Sequence, residues 1–368
     1  MQRLLFLLIL FFSTHLLLAQ EKEAEVPSLT FEEYDPPSSL VVPENIVTSA
    51  KFPFIDIHSH HWRMGTQDLD LLIAQMDSMN MGIVNNLSGR GGKKLKAMMD
   101  NVKKHGYENR ICIFTNMEFR SIDDPDWLES TLTQLEYDVS IGAKGLKIYK
   151  SQGMSHKDKS GKRIAVNDPR LDPIWAKCGE LGIPVLIHSA DPKQFWEPHD
   201  ANNERWLELK LKPRRKRSAN DPAPWEEIIA EQHDLFKTHS NTKFIAAHMG
   251  WFANDLAKLA TLLDEMPNMY VEIGAVIAEL GRQPRMANRF LEKYQDRVLF
   301  GKDSYKPAEF PTYFRVLETA DEYFPYYKRY HAFWKMYGLD LPDEILKKIY
   351  YKNALKIVPG LDASLFPK

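Results

Sequence analysis

The chain has 368 residues, 44% of them hydrophobic and 11% aromatic, and its formal net charge is -2. This composition is typical of one large globular domain or two small ones, with ample apolar mass for a core. A charge so close to neutral gives no reason to expect nucleic acid or an anionic membrane surface as a partner. The composition therefore gives no support to a nucleic-acid-binding or a membrane-binding protein.

Residues 1–19 have the layout of a secretory signal peptide. Arg3 precedes the almost wholly apolar stretch Leu4 to Leu18, and a polar, acidic run begins after Ala19. The apolar stretch is shorter than the ~20 residues of a membrane span, and no cysteine follows it to carry a lipid anchor. We therefore expect an exported protein, periplasmic or secreted, with no stable membrane anchor once the signal is removed.

The rest of the sequence predicts a leader followed by repeated β/α units. Residues 20–50 are rich in Glu, Pro and Ser and predict an extended leader. Beyond Phe52, short apolar runs alternate with amphipathic segments. The eight predicted strands are Phe54 to Ser59, Gly82 to Leu87, Ile111 to Met117, Gly145 to Tyr149, Pro184 to Ser189, Lys243 to Met249, Met269 to Gly274 and Val298 to Lys302. Eight such units predict an α/β fold, a (β/α)8 TIM barrel over residues 51–360.

Several helices are predicted between these strands. Asp68, Asp126, Asp172 and Asp255 are suited to N-terminal caps or first-turn acids. The predicted helices are Asp68 to Met79, Lys93 to His105, Asp126 to Asp138, Asp172 to Leu181, Glu226 to Thr238 and Asp255 to Glu265.

Two long loops follow strands, at residues 150–170 and 190–225. Loops in this position lie on the catalytic face of such a barrel, so their length suggests a substrate lid. An aromatic run near residues 323–337 is expected to cover the barrel as core, with one or two rings walling a pocket. Cys112 and Cys178 fall in a predicted strand and a predicted helix, so a disulfide between them is possible but not favoured.

Alternation along the strands places a set of polar side chains inside the barrel. Side chains two apart share a face of a strand, so His58 and His60 leave the first strand together. The same parity, taken from the apolar residues that must face the helices, directs Lys147, Tyr149 and Glu272 inward, where they are candidate substrate-binding residues. It also brings His188, His248 and Asp303 to the carboxyl ends of their strands.

Histidines and a carboxylate collected at one rim indicate a metal centre. A single inward histidine is more often a hydrogen-bonded core residue than a ligand. Several imidazoles beside a carboxylate in a partly dry barrel mouth are costly unless a cation satisfies their lone pairs. The sequence therefore predicts a divalent metal site at this rim.

With these residues in place, the sequence resembles the amidohydrolase superfamily, in its branch of amidohydrolase-related proteins. That branch contains aminocarboxymuconate semialdehyde decarboxylase, resorcylate-type decarboxylases and lactonases. The resemblance rests on Asp56-Ile57-His58-Ser59-His60, on His188, on Ala247-His248-Met249-Gly250, on Leu299-Phe300-Gly301-Lys302-Asp303 and on Lys352-Asn353-Ala354. Lys302 departs from the pattern, since many relatives have Ser or Thr there.

The resemblance implies that His58, His60, His188 and Asp303 bind one divalent ion, most often zinc. It also implies that His248 is the catalytic base or orients a water, with Asp303 able to share the proton transfer. Other branches carry a carboxylated lysine that bridges two ions. Lys147 lies low in its strand for that role, and an ammonium that binds a substrate carboxylate or pairs with Glu272 is the favoured alternative.

The resemblance and the long loops leave the reaction open. The leading hypothesis is a hydrolase that activates water on a small carboxylate, ester, lactone or amide. The alternatives are a non-oxidative decarboxylase and a non-catalytic ligand-binding barrel. A small-molecule substrate is the expected partner, and a homo-oligomer is possible. Arg205, Arg282 and Arg285 are candidate substrate groups, although each is as well suited to a structural or surface ion pair.

Overall fold

The computed structural model of this chain describes residues 28–368, so the predicted signal peptide lies outside the described residues. Residues 28–50 contain no helix or strand. Residues 40–368 form one compact unit, which contains the barrel. Within the described part of the chain, no helix is long and apolar enough to cross a membrane.

Eight parallel strands form the barrel wall, as the sequence predicts. They are β1 (Phe54–Ser59), β2 (Met81–Asn86), β3 (Ile111–Ile113 and Thr115–Asn116), β4 (Leu146–Ile148), β5 (Val185–Ile187), β6 (Phe244–Ala246), β7 (Met269–Glu272) and β8 (Val298–Leu299). Each strand pairs in parallel with the next. The Ile57 amide donates to the Phe300 carbonyl at 3.0 Å, which joins the last strand to the first.

The helices follow the predicted order. Apart from the four-residue segment Ser151–Met154, whose backbone is not regularly helical, they are α1 (Leu69–Ser78), α2 (Lys93–His105), α3 (Trp127–Ser140), α4 (Asp172–Glu180), α5 (Trp206–Leu211), α6 (Trp225–Thr238), α7 (Leu256–Glu265), α8 (Ile277–Gly281), α9 (Pro284–Lys293), α10 (Phe310–Glu318), α11 (Asp343–Lys347) and α12 (Asn353–Ile357). Asp68 and Asp255 cap α1 and α7 through their side chains, whereas Asp126 makes no such bond. Asp172 begins α4.

β1 ends at Ser59 as predicted, whereas the other strands that carry candidate residues end earlier than predicted. β6 stops at Ala246 instead of Met249, and His248, Met249 and Gly250 all have left-handed backbone, with φ between 54° and 61°. Asp303, just beyond β8, is also left-handed, with φ 78°. Left-handed backbone is strained for residues other than glycine, so the surrounding contacts must hold it in place. Periodicity assumes extended backbone and therefore missed these turns.

The loop after β5 and the C-terminal aromatic segment meet over the barrel mouth. The loop contains α5, which packs against the turn Arg329–His331. That turn lies inside a small antiparallel hairpin, β9 (Phe324–Pro325) with β10 (Lys335–Met336). Most rings of the aromatic segment are buried or half-buried, and Tyr323 is 38% exposed.

The core is closed where the first and last strands meet. Phe54 of β1 packs on Phe300 with ring centroids 4.7 Å apart, and on Phe314 of α10 at 5.3 Å. Burying a side chain such as Phe contributes about 1.5–3 kcal/mol, and a ring pair adds about 0.5–1.5 kcal/mol. Cys112 and Cys178 are buried and unpaired, so they form no disulfide.

Candidate metal centre

Two histidines of β1 and an aspartate beyond β8 meet at the barrel mouth. Asp303 Oδ1 lies 3.4 Å from His58 Nε2 and 3.6 Å from His60 Nε2. One ligand atom from each of the three residues lies within 4.8 Å of the others, as a shared metal ion requires. Closure of the barrel brings the aspartate next to the two histidines, because the Asp303 amide donates to the His58 carbonyl at 2.6 Å.

Glu272 fixes the orientation of His58 from behind. Its Oε1 accepts from His58 Nδ1 at 2.9 Å and from the His248 amide at 2.6 Å, and its Oε2 accepts from the Gly274 amide at 2.6 Å. Since Nδ1 carries the proton, His58 directs the lone pair of Nε2 at Asp303. A Cβ on Gly301 would lie 2.3 Å from Glu272 Oε2, so this carboxylate needs glycine there.

Glu272, a candidate substrate-binding residue in the sequence, lies behind His58 and outside the cavity lining. Its side chain is fully buried, and its oxygens already accept three hydrogen bonds. It also lies within 4.8 Å of His58 and His248, so distance alone allows a second set of ligands. The same three hydrogen bonds occupy both lone pairs of Oε1 and one of Oε2, which leaves a single lone pair of the carboxylate for any metal.

His60 is held by neighbours of a different kind. Its Nδ1 lies 2.7 Å from Ser88 Oγ, and its ring stacks against Trp62 and Tyr149 at centroid distances of 5.7 and 5.8 Å. The Tyr149 hydroxyl donates to the Leu87 carbonyl at 2.9 Å. Tyr149, predicted as a substrate contact, therefore supports His60, and its hydroxyl is already hydrogen-bonded.

His248 sits on the left-handed turn after β6. Its Nδ1 lies 2.7 Å from the Gly274 carbonyl, which can only accept, so Nδ1 carries the proton and Nε2 has a free lone pair. The ring packs 5.0 Å from His58 and 4.6 Å from Trp251, and His248 lines the cavity in front of the metal group. This arrangement suits a proton acceptor that faces the substrate.

His188 lies next to His248 but outside the group of three. Their ring centroids are 4.5 Å apart, and the Trp251 ring, which also packs on His248, lies 5.7 Å from that of His188. Among the described residues, His188 Nε2 is buried without a hydrogen-bond partner. The fourth predicted ligand therefore lies at the same rim, and the other three predicted ligands, His58, His60 and Asp303, already meet within ligand distance.

Burial keeps these imidazoles neutral, which is the form that binds metal. Burial, reinforced by the charge of Lys147, holds the pKa of His58 well below its usual range and lowers the pKa of His60 to about 4. For Asp303, burial opposes ionisation, but attraction to His58, His248 and His60 in their protonated forms, which exist only at low pH, outweighs it and lowers its pKa to about 2.

These donors fit a divalent cation. Neutral imidazoles and one ionised carboxylate are the ligands that zinc and its neighbours among the divalent metals prefer. In the described chain, the buried Nε2 atoms of His58 and His188 have no hydrogen-bond partner, and a bound cation would satisfy both lone pairs.

Lys147 is buried inside the barrel below these ligands. Its Nζ has no hydrogen-bond partner within residues 28–368, so the predicted pairing with Glu272 is not formed. Burial lowers the pKa of Lys147 to about 8, against the opposing attraction of Asp303 and Glu272. Lys147 does not line the cavity, and this position gives no support to a substrate contact.

A cavity of about 530 Å³ opens in front of the metal group. His188, His248 and Asp303 form its floor, and its walls come from the loop after β5 and the C-terminal aromatic segment, including Tyr327 and Tyr330. Its volume is typical of a site for a small molecule.

The three predicted arginines differ in position. Arg205 lines the cavity, but its guanidinium is buried in ion pairs with Glu208 and Glu279. Arg282 pairs with Glu204, and Arg285 lies in a separate surface depression. The sequence left open whether these arginines bind substrate or form ion pairs. Arg205 and Arg282 form structural ion pairs. Sequence reasoning missed Ser88 and Trp251, for which only a comparison of several relatives could have given a signal.

The fold and the site together define a TIM-barrel protein with a candidate divalent-metal centre. The Amidohydrolase family model matches residues 113–360, more than half of the chain, so the chain belongs to the amidohydrolase family. The family contains metal-dependent hydrolases and decarboxylases, and it supports the use of a divalent metal here. No curated protein matched the chain.

Solved structures agree with the fold. A 2,6-dihydroxybenzoate decarboxylase complexed with 2,6-dihydroxybenzoate has TM-score 0.53 and 13% identity, over 83% of this chain and 99% of its own. A dihydroxybenzoic acid decarboxylase from Polaromonas sp. JS666, with bound manganese and 2-nitroresorcinol, has TM-score 0.52 and 14% identity, over 83% and 96%. A Staphylococcus aureus protein described as a possible amidohydrolase has TM-score 0.52 and 16% identity, over 83% and 99%. At these identities the likeness extends to the fold alone.

Proposed function

We propose that the protein is a metal-dependent hydrolase acting on a small carboxylate, ester, lactone or amide. The observation that carries the proposal is the state of His248, whose Nδ1 proton is held by the Gly274 carbonyl at 2.7 Å. His248 lines the cavity together with Asp303, and its ring packs on His58, so its free Nε2 belongs to a side chain next to the metal group. A fixed proton acceptor beside a metal group is what hydrolysis by an activated water needs.

His58, His60, His188 and Asp303 would hold the cation, most often zinc for this donor set. When bound, a divalent ion lowers the pKa of water to about 7 and polarises a carbonyl. His248 Nε2 accepts the proton and returns it to the leaving group. Glu272 keeps His58 in the ligating tautomer and, through the His248 amide, also sets the position of the base.

A decarboxylase is the second candidate. The cavity lining is rich in cationic side chains, and the two solved decarboxylases are similar in fold. The same ligands would then hold the cation to which a substrate carboxylate or phenolate binds. His248, once protonated at Nε2 by solvent, would deliver that proton to carbon as the bond to the departing carbon dioxide breaks. Carbon dioxide release, measured beside proton release on a panel of carboxylated and lactone substrates, separates the two reactions.

The test of the base is His248→Ala in protein of known metal content. We expect turnover of any panel substrate to fall by about 10²–10⁴-fold, the usual contribution of general acid–base catalysis. Elemental analysis should find the metal retained. His105→Ala on α2, outside the cavity, is the matched control and should keep full activity.

Two results would contradict the assignment. If His248→Ala loses its metal, His248 is a ligand and not the base. If metal-loaded protein turns over nothing on the panel, and binds the panel molecules equally well with and without His248, the non-catalytic binding barrel is favoured.

We also propose that the protein is exported. The support is the charged, apolar and then polar order of residues 1–20. Mass spectrometry of the protein purified from its producing cell should find a chain that begins at Gln20. A chain that keeps Met1 would contradict export by this route.

A further inference from the structure

The charge of the cavity is unbalanced. Six cationic side chains line it, against four carboxylates: Asp191, Glu208, Asp303 and Glu309. Asp303 belongs to the metal group, so it is not available to balance a cation elsewhere in the cavity. A bound divalent ion would add further positive charge at the floor.

Most of the cations already have partners. Lys150 pairs with Asp191, and Arg205 and Arg215 both pair with Glu208. Lys306 pairs with Glu309 at 3.2 Å. These four cations therefore pair with all three cavity carboxylates other than Asp303.

Two lysines keep their charge unmatched. Within the described chain, neither Lys212 nor Lys328 makes an ion pair or a side-chain hydrogen bond, and each ammonium lies near a tyrosine ring. Lys212 Nζ is 3.6 Å from the centroid of the Tyr330 ring, and Lys328 Nζ is 5.7 Å from that of Tyr327. Both side chains are partly buried, so their charges are less screened than those of surface lysines.

The two lysines come from the two segments that form the wall. Lys212 follows α5 in the loop after β5, and Lys328 lies in the turn of the β9–β10 hairpin. α5 packs against Arg329–His331, which keeps both segments at the same wall. The pKa of Lys328 falls to about 8 through burial and the nearby charge of Lys302, so Lys328 is still mostly protonated at neutral pH.

We propose that Lys212 and Lys328 form a second binding position, which takes an anionic group of the substrate other than the group that faces the metal. This inference rests on the proposed function and narrows its substrate class to molecules with two acidic groups. One acidic group, or the bond to be cleaved, faces the metal ligands. The second acidic group is a carboxylate or a phosphoryl group, and it accepts hydrogen bonds from the ammonium groups of the two lysines.

The test measures binding, so it does not depend on turnover. Calorimetric titrations compare dicarboxylates from malonate to pimelate with monocarboxylates of the same carbon number, on purified full-length protein of known metal content. We expect at least one dicarboxylate to bind ~10-fold or more tightly than its monocarboxylate, as expected for charged hydrogen bonds in a partly enclosed site. Phosphonocarboxylates of matched length form a third arm, which decides between a carboxylate and a phosphoryl group.

Lys328→Gln and Lys212→Gln should each reduce that preference, and their double variant should abolish it, with monocarboxylate affinity within about twofold of the original. Lys193→Gln is the matched control, because it removes the same charge from the same loop but pairs with Glu226 outside the cavity. Lys328→Arg keeps the charge and should keep most of the preference.

A protein that binds no diacid more tightly than its monoacid would overturn the proposal, as would a preference that survives the double variant. Either result leaves the hydrolase assignment standing, because that depends on His248. Conversely, loss of the hydrolase assignment leaves the binding preference measurable.

Discussion

At the scale of single residues, the metal centre depends on which nitrogen of each histidine carries the proton. Glu272 and the Gly274 carbonyl settle this for His58 and His248, and Ser88 lies against Nδ1 of His60. Partners of this kind orient the ring and raise its basicity as a ligand. The residues behind the ligands are thus as important to the site as the ligands themselves.

Glu272→Gln should weaken metal binding by about 10–100-fold, the usual cost of losing such a partner. The amide has no charge to strengthen the bond from His58 Nδ1, so the ring is held less firmly. Competition with a chromogenic chelator measures the affinity. The control variant Glu292→Gln, on the exposed face of α9, should leave the metal affinity unchanged. Equal affinity in the two variants would contradict an orienting role for Glu272.

At the scale of elements, the cavity wall is held by a buried ion-pair cluster between the loop after β5 and the C-terminal part of the chain. Arg205 pairs with Glu208 at 3.0 Å and with Glu279 of α8, and its Nη1 lies 3.0 Å from His331 Nδ1. Its guanidinium also stacks over the Trp334 ring at 5.0 Å. The cluster joins α5, α8 and the hairpin turn, so it fixes the wall that carries Lys212 and Lys328.

Arg205→Ala should lower the free energy of unfolding by about 3–5 kcal/mol, because buried carboxylates lose their compensating charge. Urea denaturation followed by circular dichroism measures the change. Arg214 is exposed in the same loop, so the free energy of unfolding of Arg214→Ala should lie within about 0.5 kcal/mol of that of the unaltered protein. If the two variants have the same stability, the cluster does not hold the wall.

At the scale of the whole molecule, several buried histidines link stability to pH. Burial lowers the pKa values of His61 and His233 to about 4, from an ordinary value of 6.5. Between these values the unfolded chain binds more protons than the folded one. Stability from these groups is therefore fully present above pH 6.5 and falls as the pH drops toward about 4.

His233→Phe should reduce this dependence on pH. In the described chain, His233 Nε2 is buried without a hydrogen-bond partner, and the ring stacks on Phe252 at 6.0 Å, so a phenyl ring loses no bond from Nε2. The difference in unfolding free energy between variant and unaltered protein should grow as the pH falls, by at most about 1.4 kcal/mol per pH unit. Urea titrations across this range measure it, and parallel curves for the two proteins would exclude His233 as a source.

The sequence by itself determined the barrel, the order of its strands and the rim at which His58, His60, His188, His248 and Asp303 gather. It could do so because apolar alternation and β/α repeats depend on neighbours in the chain. Only the tertiary structure decided that Glu272 lies behind His58, that Arg205 is held in ion pairs, and that Lys212 and Lys328 share a wall. Those relations join segments far apart in the chain, and they depend on left-handed turns and loop packing that no local pattern encodes.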